Sequence, residues 1–251
     1  MIDLSICIVA YNDAAEVLKA VETIEKYTPA EISRKIYVVD NSECFDEAYA
    51  GLNRYKDAEY LFSGENLGFG KGHNCVLNDL DSRFHAIVNP DIELKEDSFS
   101  KIISFMEEEG CGAVIPRLVD ESGELQKAYR RELTPFDMFI RMFVKGGFKK
   151  RRAYHTLDDM DYSKPFEVPF AQGSFLVMQT ALFKAVGGFD ERYFLYLEDA
   201  DLCKKINQTS RIMYFPGTEV AHRWEKGSHK SKKLLLIHIK SMLKYFCKWG
   251  F

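Results

Sequence analysis

The sequence offers no cysteine pair at redox or metal-binding spacing. Cys7, Cys44, Cys75, Cys111, Cys203 and Cys247 are scattered, several of them inside apolar runs. That pattern reads as buried thiols in a reducing compartment and excludes a disulfide framework or a zinc ribbon. No uninterrupted apolar run approaches the roughly 18–20 residues that cross a bilayer. Met1-Ile2-Asp3-Leu4 places no basic region ahead of the first apolar stretch, so it does not read as a signal peptide and a cytoplasmic location is expected. Positive charge is not in excess either. With 34 Lys and Arg against 38 Asp and Glu, the net charge is −4 and nothing draws the whole chain to nucleic acid. Internal repeats and low-complexity linkers are absent.

What is present suits one large domain, or one domain with a small appendage: 251 residues, 46% hydrophobic and 29% charged, enough to bury a sizeable core. The first 120 residues alternate short apolar runs with helical spacing. Strands are expected at Leu4–Ala10, Ile36–Val39, Glu59–Phe62, Phe84–Val88 and from Ala113. Helices are expected at Asp13–Tyr27, Glu43–Tyr55, Asn74–Leu80 and Ser98–Glu108. This alternation predicts βαβ units and an α/β fold with a mostly parallel central sheet, helices on both faces. Three strands end in polar residues: Tyr11-Asn12-Asp13, Asp40-Asn41-Ser42 and Asn89-Pro90-Asp91. Ligands of open α/β sheets sit at such carboxyl ends. Further on, a strand is expected at Phe175–Met178, helices at Thr180–Val186 and Ala200–Gln208, a strand at Arg211–Phe215 and a long amphipathic helix at Leu234–Lys248.

Four features carry chemistry. Glu198-Asp199-Ala200-Asp201 packs three carboxylates into four positions between Tyr193–Leu197 and Leu202-Cys203. Like charges in an apolar setting repel, so a cation, a held proton or a substrate hydroxyl would account for the cluster; an acidic helix N-terminus is the plainer alternative. Asn89-Pro90-Asp91 is a stiff turn aiming one carboxylate past a strand end, where magnesium or manganese can bind, or an ordinary turn. His222 after an apparent strand is structural, or joins Asp91 as a ligand, its nitrogen favouring manganese over calcium. Gly68–Gly72 has neither Walker nor GxGxxG spacing.

Seven motifs stand in order along residues 3–228: Ser5–Asn12, Val38–Ser42, Glu65–Gly70, Asn89–Asp91, Gly187-Gly188-Phe189-Asp190-Glu191, Glu198–Leu202 and Ala221-His222. In this the chain resembles family 2 inverting glycosyltransferases of the GT-A fold, and within them bacterial rhamnosyltransferases that extend polyprenyl-diphosphate-linked glycans. The resemblance implies a nucleotide-diphospho-sugar donor, dTDP-L-rhamnose first, with a UDP-hexose or UDP-galactofuranose as alternatives. A non-catalytic nucleotide-sugar-binding scaffold is the alternative of another class. It implies that Tyr11 and Asp40 hold the base and ribose, and that Asn12, Asn66, Gly68, Asn74 and Asn89 border the donor. It further implies that Asp91 and His222 complete a divalent-cation site, magnesium or manganese. One carboxylate stands where the family has two, since Asn89 takes the first position. Asp199 matches the general base, with Glu198 and Asp201 as tuning neighbours and Gln172, Gly173 and Ser174 near the acceptor, a glycan or lipid-linked glycan.

Two basic segments remain. Residues 139–152 carry Arg141, Lys145, Lys149, Lys150, Arg151 and Arg152. Residues 232–249 set Lys232, Lys233, Lys240, Lys244 and Lys248 beside an apolar stripe ending in Trp249. Both suit an anionic membrane surface, which would make the protein peripheral on the inner face of the cytoplasmic membrane; a helix packed on the domain with solvated lysines is the alternative. The expected division is 1–228 as the catalytic domain, nucleotide-sugar half 1–120 and acceptor half 121–228, with 229–251 as a C-terminal basic helix.

Overall fold

The computed structural model describes residues 1–144, 146–223 and 232–250. The elements follow in order: β1 (Ile2–Ala10), α1 (Ala14–Tyr27), β2 (Arg34–Asp40), a 3-10 helix (Glu47–Arg54), β3 (Ala58–Phe62), α2 (Phe69–Asn74), β4 (Ser82–Val88), β5 (Ile92–Leu94) and α3 (Ser98–Glu109). Then come β6 (Ala113–Val119), β7 (Tyr129–Arg130), α4 (Pro135–Phe143), α5 (Lys149–His155), β8 (Phe166–Glu167), β9 (Phe170–Ala171), β10 (Phe175–Gln179), α6 (Thr180–Ala185), α7 (Glu198–Asn207), β11 (Ile212–His222) and α8 (Lys232–Trp249).

One large sheet orders its strands β3-β2-β1-β4-β10-β6-β11-β5, with β8 on β11, and β7 and β9 form a second, two-stranded sheet. The fold is α/β as expected, a large central sheet flanked by helices. β3, β2, β1 and β4 are parallel neighbours, Ile6 opposite both Ile36 and Ala86. Beyond β4 the pairing is mixed, because β10 enters antiparallel between β4 and β6. The apolar runs read as strands are buried on both faces, which suits Leu4, Ile6, Ile8, Ile36, Val38 and Val88, all without solvent exposure. α1 covers one face through Val17, Ala20, Val21 and Ile24.

Local chemistry explains several ends. Thr134 accepts from Asp137 N and Pro135 takes the first turn of α4. Asp97 caps α3, and Gly110 closes it in the left-handed region, φ 62°.

Some boundaries differ from expectation. The helix expected at Asn74–Leu80 lies earlier, at Phe69–Asn74. Gly68 (φ 82°) turns the chain into it, and a Cβ there would strike the carbonyl oxygen of Phe194. The expected helix at Glu43–Tyr55 is a 3-10 helix started by Asp46. α7 begins at Glu198, two residues before the expected Ala200, so the acidic cluster is also a helix start. β11 continues past Phe215 through a register irregularity and ends on His222, and β5 was not anticipated. The expected boundary between 228 and 229, together with Trp224, Glu225, Lys226 and Lys230, lies outside the described residues.

α8 is packed on the domain. Ser241, Tyr245 and Phe246 are buried, and Ser241 Oγ donates to Leu195 O at 2.9 Å. Its far end holds Asp201: Lys248 Nζ lies 2.7 Å from Asp201 Oδ1 and Trp249 Nε1 donates to the same oxygen at 2.7 Å. Asp201 has no solvent exposure, so removing its cation leaves a buried charge. Lys248→Met is therefore expected to cost about 3 kcal/mol or more, read as a lower urea midpoint. Unchanged stability would show that the pair does not anchor the helix.

Candidate active site

Two adjoining clefts open along the sheet, and Asn89 lines both. The turn after β4 puts it there: Asn89 N donates to Ser174 O at 2.8 Å, tying the end of β4 to the start of β10. The order of strand addition reverses between β1 and β4, with β2 and β3 on one side of β1 and β4 on the other, and open α/β sheets form a crevice at such a point.

The larger cleft, about 1010 Å³, lies between Asn12, Asp13 and Glu16 after β1, Asn89–Asp91, and Gln126 with His222. His222 is buried at the end of β11. Gln126 Nε2 donates to His222 O at 2.6 Å, which turns the amide oxygen Oε1 to the imidazole Nδ1, 2.8 Å away. Oε1 is an acceptor, so Nδ1 carries the proton and Nε2 presents a lone pair. Nε2 stands 3.4 Å from Asp91 Oδ2. Two acceptors facing each other require a proton or a cation between them. Nε2, Asp91 Oδ1 and Asn89 Oδ1 are also buried without a hydrogen-bond partner. Burial and the charges of Glu16 and Asp91 raise the Asp13 carboxyl, a sign of locally excess negative charge.

These atoms fit a small divalent cation. Two ligands at right angles about 2.1 Å from one ion lie about 3.0 Å apart, close to the observed 3.4 Å. Among the described residues no three His, Cys, Asp or Glu side chains converge. The pair therefore suits a cation that takes its remaining ligands from water and phosphate oxygens.

The smaller cleft, about 360 Å³, contains Gln172, Gly173, Ser174, Glu198 and Asp199 with Phe69, Arg130, Arg141, Leu234 and His238. Tyr196 and Leu197 adopt left-handed φ values of 69° and 68° and swing the chain into α7. Asp199 Oδ1 accepts from Ala200 N at 2.8 Å, and Oδ2 lies 3.4 Å from Gly173 N. A Cβ on Gly173 would press on Asp199 Cβ at 3.3 Å, so the missing side chain admits the carboxylate. Burial raises the Asp199 carboxyl, while the amides of Ala200 and Gly173 and the charge of Arg141 favour its ionised form. Glu198 is raised well above the usual carboxyl range by burial and then by the Asp199 charge, and its Oε2 is unpartnered. The proton of the pair belongs on Glu198 and the charge on Asp199.

Asp201 does not share this cleft, contrary to its expected place as a neighbour tuning Asp199. Residues two apart on a helix face different ways, and Asp201 is turned to Lys248 and Trp249 of α8. In the Gly187–Glu191 motif, Asp190 is likewise bound, by Arg192 and Lys248, which hold its carboxyl well below the usual range.

The other expected donor contacts fall outside the two clefts, Asn12 excepted. Asp40 is fully buried: Ser42 N and Oγ reach Oδ1 at 3.0 and 2.5 Å, and Tyr60 OH donates to Oδ2 at 2.7 Å. Tyr11 is half exposed, its OH 3.3 Å from Glu43. Asn66 accepts from Gly68 N at 3.0 Å. Asn74 is a strut: both ends of its amide bind the backbone of Phe189, each at 2.9 Å.

Sequence reasoning missed Gln126, Arg130 and Arg141 as site residues. Gln126 sits in a polar turn with no pattern to mark it. Arg141 belongs to a basic run in the sequence, and the fold also places it in the cleft that contains Asp199.

Residues 5–187 match glycosyl transferase family 2; Glu198, Asp199 and His222 lie beyond the matched residues. The chain is 26% identical over 237 residues to the N-acetylglucosaminyl-diphospho-decaprenol L-rhamnosyltransferase of Mycobacterium tuberculosis, covering 87% of this chain and 75% of that protein. It is 27% identical over 229 residues to the rhamnosyltransferase WbbL of Escherichia coli K12, covering 85% and 82%. In fold it is similar to the mannosyltransferase PcManGT of Pyrobaculum calidifontis, solved with GDP-Man and Mn2+: TM-score 0.67 and 15% identity over 99% of this chain and 66% of that one. The matched part is therefore about two thirds of that solved chain.

The electrostatics of the small cleft can be read directly. In a titration following side-chain carboxyl resonances, Asp199 should take up its proton above the ordinary value of about 4, and Glu198 at higher pH still. Arg141→Gln removes the charge favouring ionised Asp199 and should raise its value further, by about one unit. A downward shift would contradict the assignment.

Proposed function

Since this chain belongs to glycosyl transferase family 2, we propose that it transfers L-rhamnose, with inversion, from dTDP-L-rhamnose to a hydroxyl of a lipid-diphosphate-linked glycan in cell-surface polysaccharide synthesis. The enzyme class follows from the family. The sugar and the acceptor are supported by the activities of the rhamnosyltransferases it resembles. The observation that carries the reading is the apposition of an ionised carboxylate, Asp199, in one cleft with the facing lone pairs of Asp91 and His222 in the next, Asn89 between them.

Asp199 accepts the proton of the acceptor hydroxyl. The alkoxide oxygen attacks the anomeric carbon from the face opposite the leaving group, and the bond from that carbon to the diphosphate oxygen breaks. Glu198, protonated, leaves Asp199 as the sole carboxylate charge of the pair, and Gly173 N and Arg141 orient and stabilise it. Asp91 and His222 would hold magnesium or manganese, which when bound would offset the charge of the departing nucleoside diphosphate. Asn89 lies where donor and acceptor meet. Gln172 and Ser174, whose Oγ is buried without a partner, lie on the acceptor side. Asp40, Asn66, Gly68 and Asn74 brace the loops around the donor, and Tyr11, exposed beyond β1, is left to meet the base. A non-catalytic scaffold would have no use for a carboxylate held ionised in this way.

The protein is proposed to work at the inner face of the cytoplasmic membrane. Among the described residues no helix is long and apolar enough to cross a membrane. Phe136, Phe139 and Phe148 are exposed beside Lys149 and Lys150, and Leu235, Leu236 and Leu243 beside Lys232, Lys233 and Lys240. Exposed aromatics and aliphatics interleaved with lysines suit an anionic interface.

Asp199→Asn should lower transfer by at least about 1000-fold while nucleotide-sugar binding survives; near-normal turnover would remove Asp199 as the base. A panel of dTDP-L-rhamnose, UDP-hexoses and UDP-galactofuranose identifies the donor. Asp91→Ala and His222→Ala should each weaken donor binding in the presence of manganese and change nothing in EDTA; identical titrations in both buffers would end the metal assignment. Vesicles containing phosphatidylglycerol should float the protein at low salt and release it at high salt, and failure to float in either buffer would favour a solvated lysine face.

A further inference from the structure

Behind the smaller cleft lies a cavity of about 150 Å³ that the reaction described above does not use. Arg130 and Arg141 line both spaces, so the two communicate through a pair of guanidinium groups. Arg151, Arg152 and His155 of α5 complete it. The single carboxylate is Asp137, which Arg151 already binds twice, at 2.7 and 2.9 Å. Among the described residues no carboxylate forms an ion pair with Arg130, Arg141 or Arg152. Arg130 donates instead to the neutral carbonyls of Lys127 and, at 2.7 Å, Tyr129, and Arg152 to Ile140 O and Val144 O at 2.8 and 2.6 Å.

Guanidinium groups clustered without a paired carboxylate repel one another, most where they are withdrawn from water. Burial, and then Arg141, push Arg130 down to about 10. His155, 8% exposed, lines the cavity with its Nδ1 3.9 Å from Asp137 Oδ2, and its Nε2 is buried without a hydrogen-bond partner; the Arg152 Nε is likewise unpartnered. Planar donors with unmet valence around a phosphate-sized space are what phosphate recognition requires.

We infer that this cavity receives the diphosphate of the acceptor, with Arg130 and Arg141 binding its oxygens at the mouth and His155 and Arg152 completing the pocket, so that the acceptor is recognised by its phosphates as well as by its sugar. The inference rests on the acceptor class proposed above. It fixes a direction for that substrate: the sugar lies toward Asp199, and the diphosphate and its lipid lead away along α4 and α5, whose Phe136, Phe139 and Phe148 are exposed. Arg141 then serves two purposes, favouring the ionised base and binding the acceptor; the rest of the basic stretch is partly internal rather than a uniform membrane face.

The test uses Arg130→Gln, with Lys56→Gln, on the exposed surface away from the cavity, as the charge control. Inorganic pyrophosphate titrated calorimetrically in EDTA, without vesicles, should bind the wild type, and Arg130→Gln should weaken it at least tenfold while Lys56→Gln changes nothing. In steady-state assays Arg130→Gln should raise KM for a lipid-diphosphate-linked acceptor at least tenfold with little change in kcat, leave KM for an alkyl glycoside of the same sugar unaltered, and be partly rescued by Arg130→Lys. Absent pyrophosphate binding overturns the inference. So does an equal loss on both acceptors, which marks Arg130 as structural, and so does loss of binding to phosphatidylglycerol vesicles with pyrophosphate binding intact, which marks a headgroup site. A wild type that binds pyrophosphate through Arg130 but transfers to neither acceptor would refute the proposed reaction and leave the phosphate pocket standing.

Discussion

Three carboxylates in one turn of helix cannot all stay ionised side by side in an apolar setting, and much of the site is arranged around that constraint. Each acid of α7 has a different resolution. Glu198, buried and unpartnered, holds a proton. Asp199 keeps its charge through the amides of Gly173 and Ala200 and the neighbourhood of Arg141. Asp201 points the other way and is bound by Lys248 and Trp249. The third resolution has architectural consequences. It fastens the end of α8 to the domain, and the same helix brings Leu234 and His238 to the wall of the cleft that contains Asp199. A local problem of like charge is thus solved partly by a helix some fifty residues further along the chain.

The second cleft shows the complementary case, a site made by leaving atoms unsatisfied. Gln126 orients His222 so that its free lone pair faces Asp91, and nothing in the protein fills the gap. Buried polar atoms left this way cost stability, and three of them meeting at one place indicate a group that arrives from outside. The Arg130–His155 cavity repeats the pattern with opposite sign: the metal-type site has surplus acceptors, and the cavity behind the base has surplus donors.

The parallel half of the fold was legible because its signals are local. Apolar runs such as Ser5–Ala10 and Ile36–Val39 are buried on both faces and look alike in any context. Their polar ends mark the sheet edge by position alone. Asn89, Asp91, His222 and Asp199 stand out in the sequence by motif, and the fold places them along two adjoining clefts. The mixed half was less legible: β10 joins antiparallel between β4 and β6, and a short antiparallel strand such as β5 carries no distinctive period. The division among Asn66, Asp40 and Asn74 was also hidden, since a residue that lines a site and one that props its loop have the same composition.

The sequence by itself determined an α/β chain with a carboxylate cluster and strand-end acids, because covalent order and apolar periodicity need no knowledge of distant neighbours, and the ordered motifs added the resemblance to a glycosyltransferase family. Only the tertiary structure decided which acid carries the charge, that Asp201 belongs to α8 rather than to the cleft, and that Arg141 lines the cleft of Asp199. The reason is physical. Proton affinity, ion pairing and the direction of a long side chain depend on burial and on charges contributed by residues tens of positions away, and those distances exist only once the chain has folded.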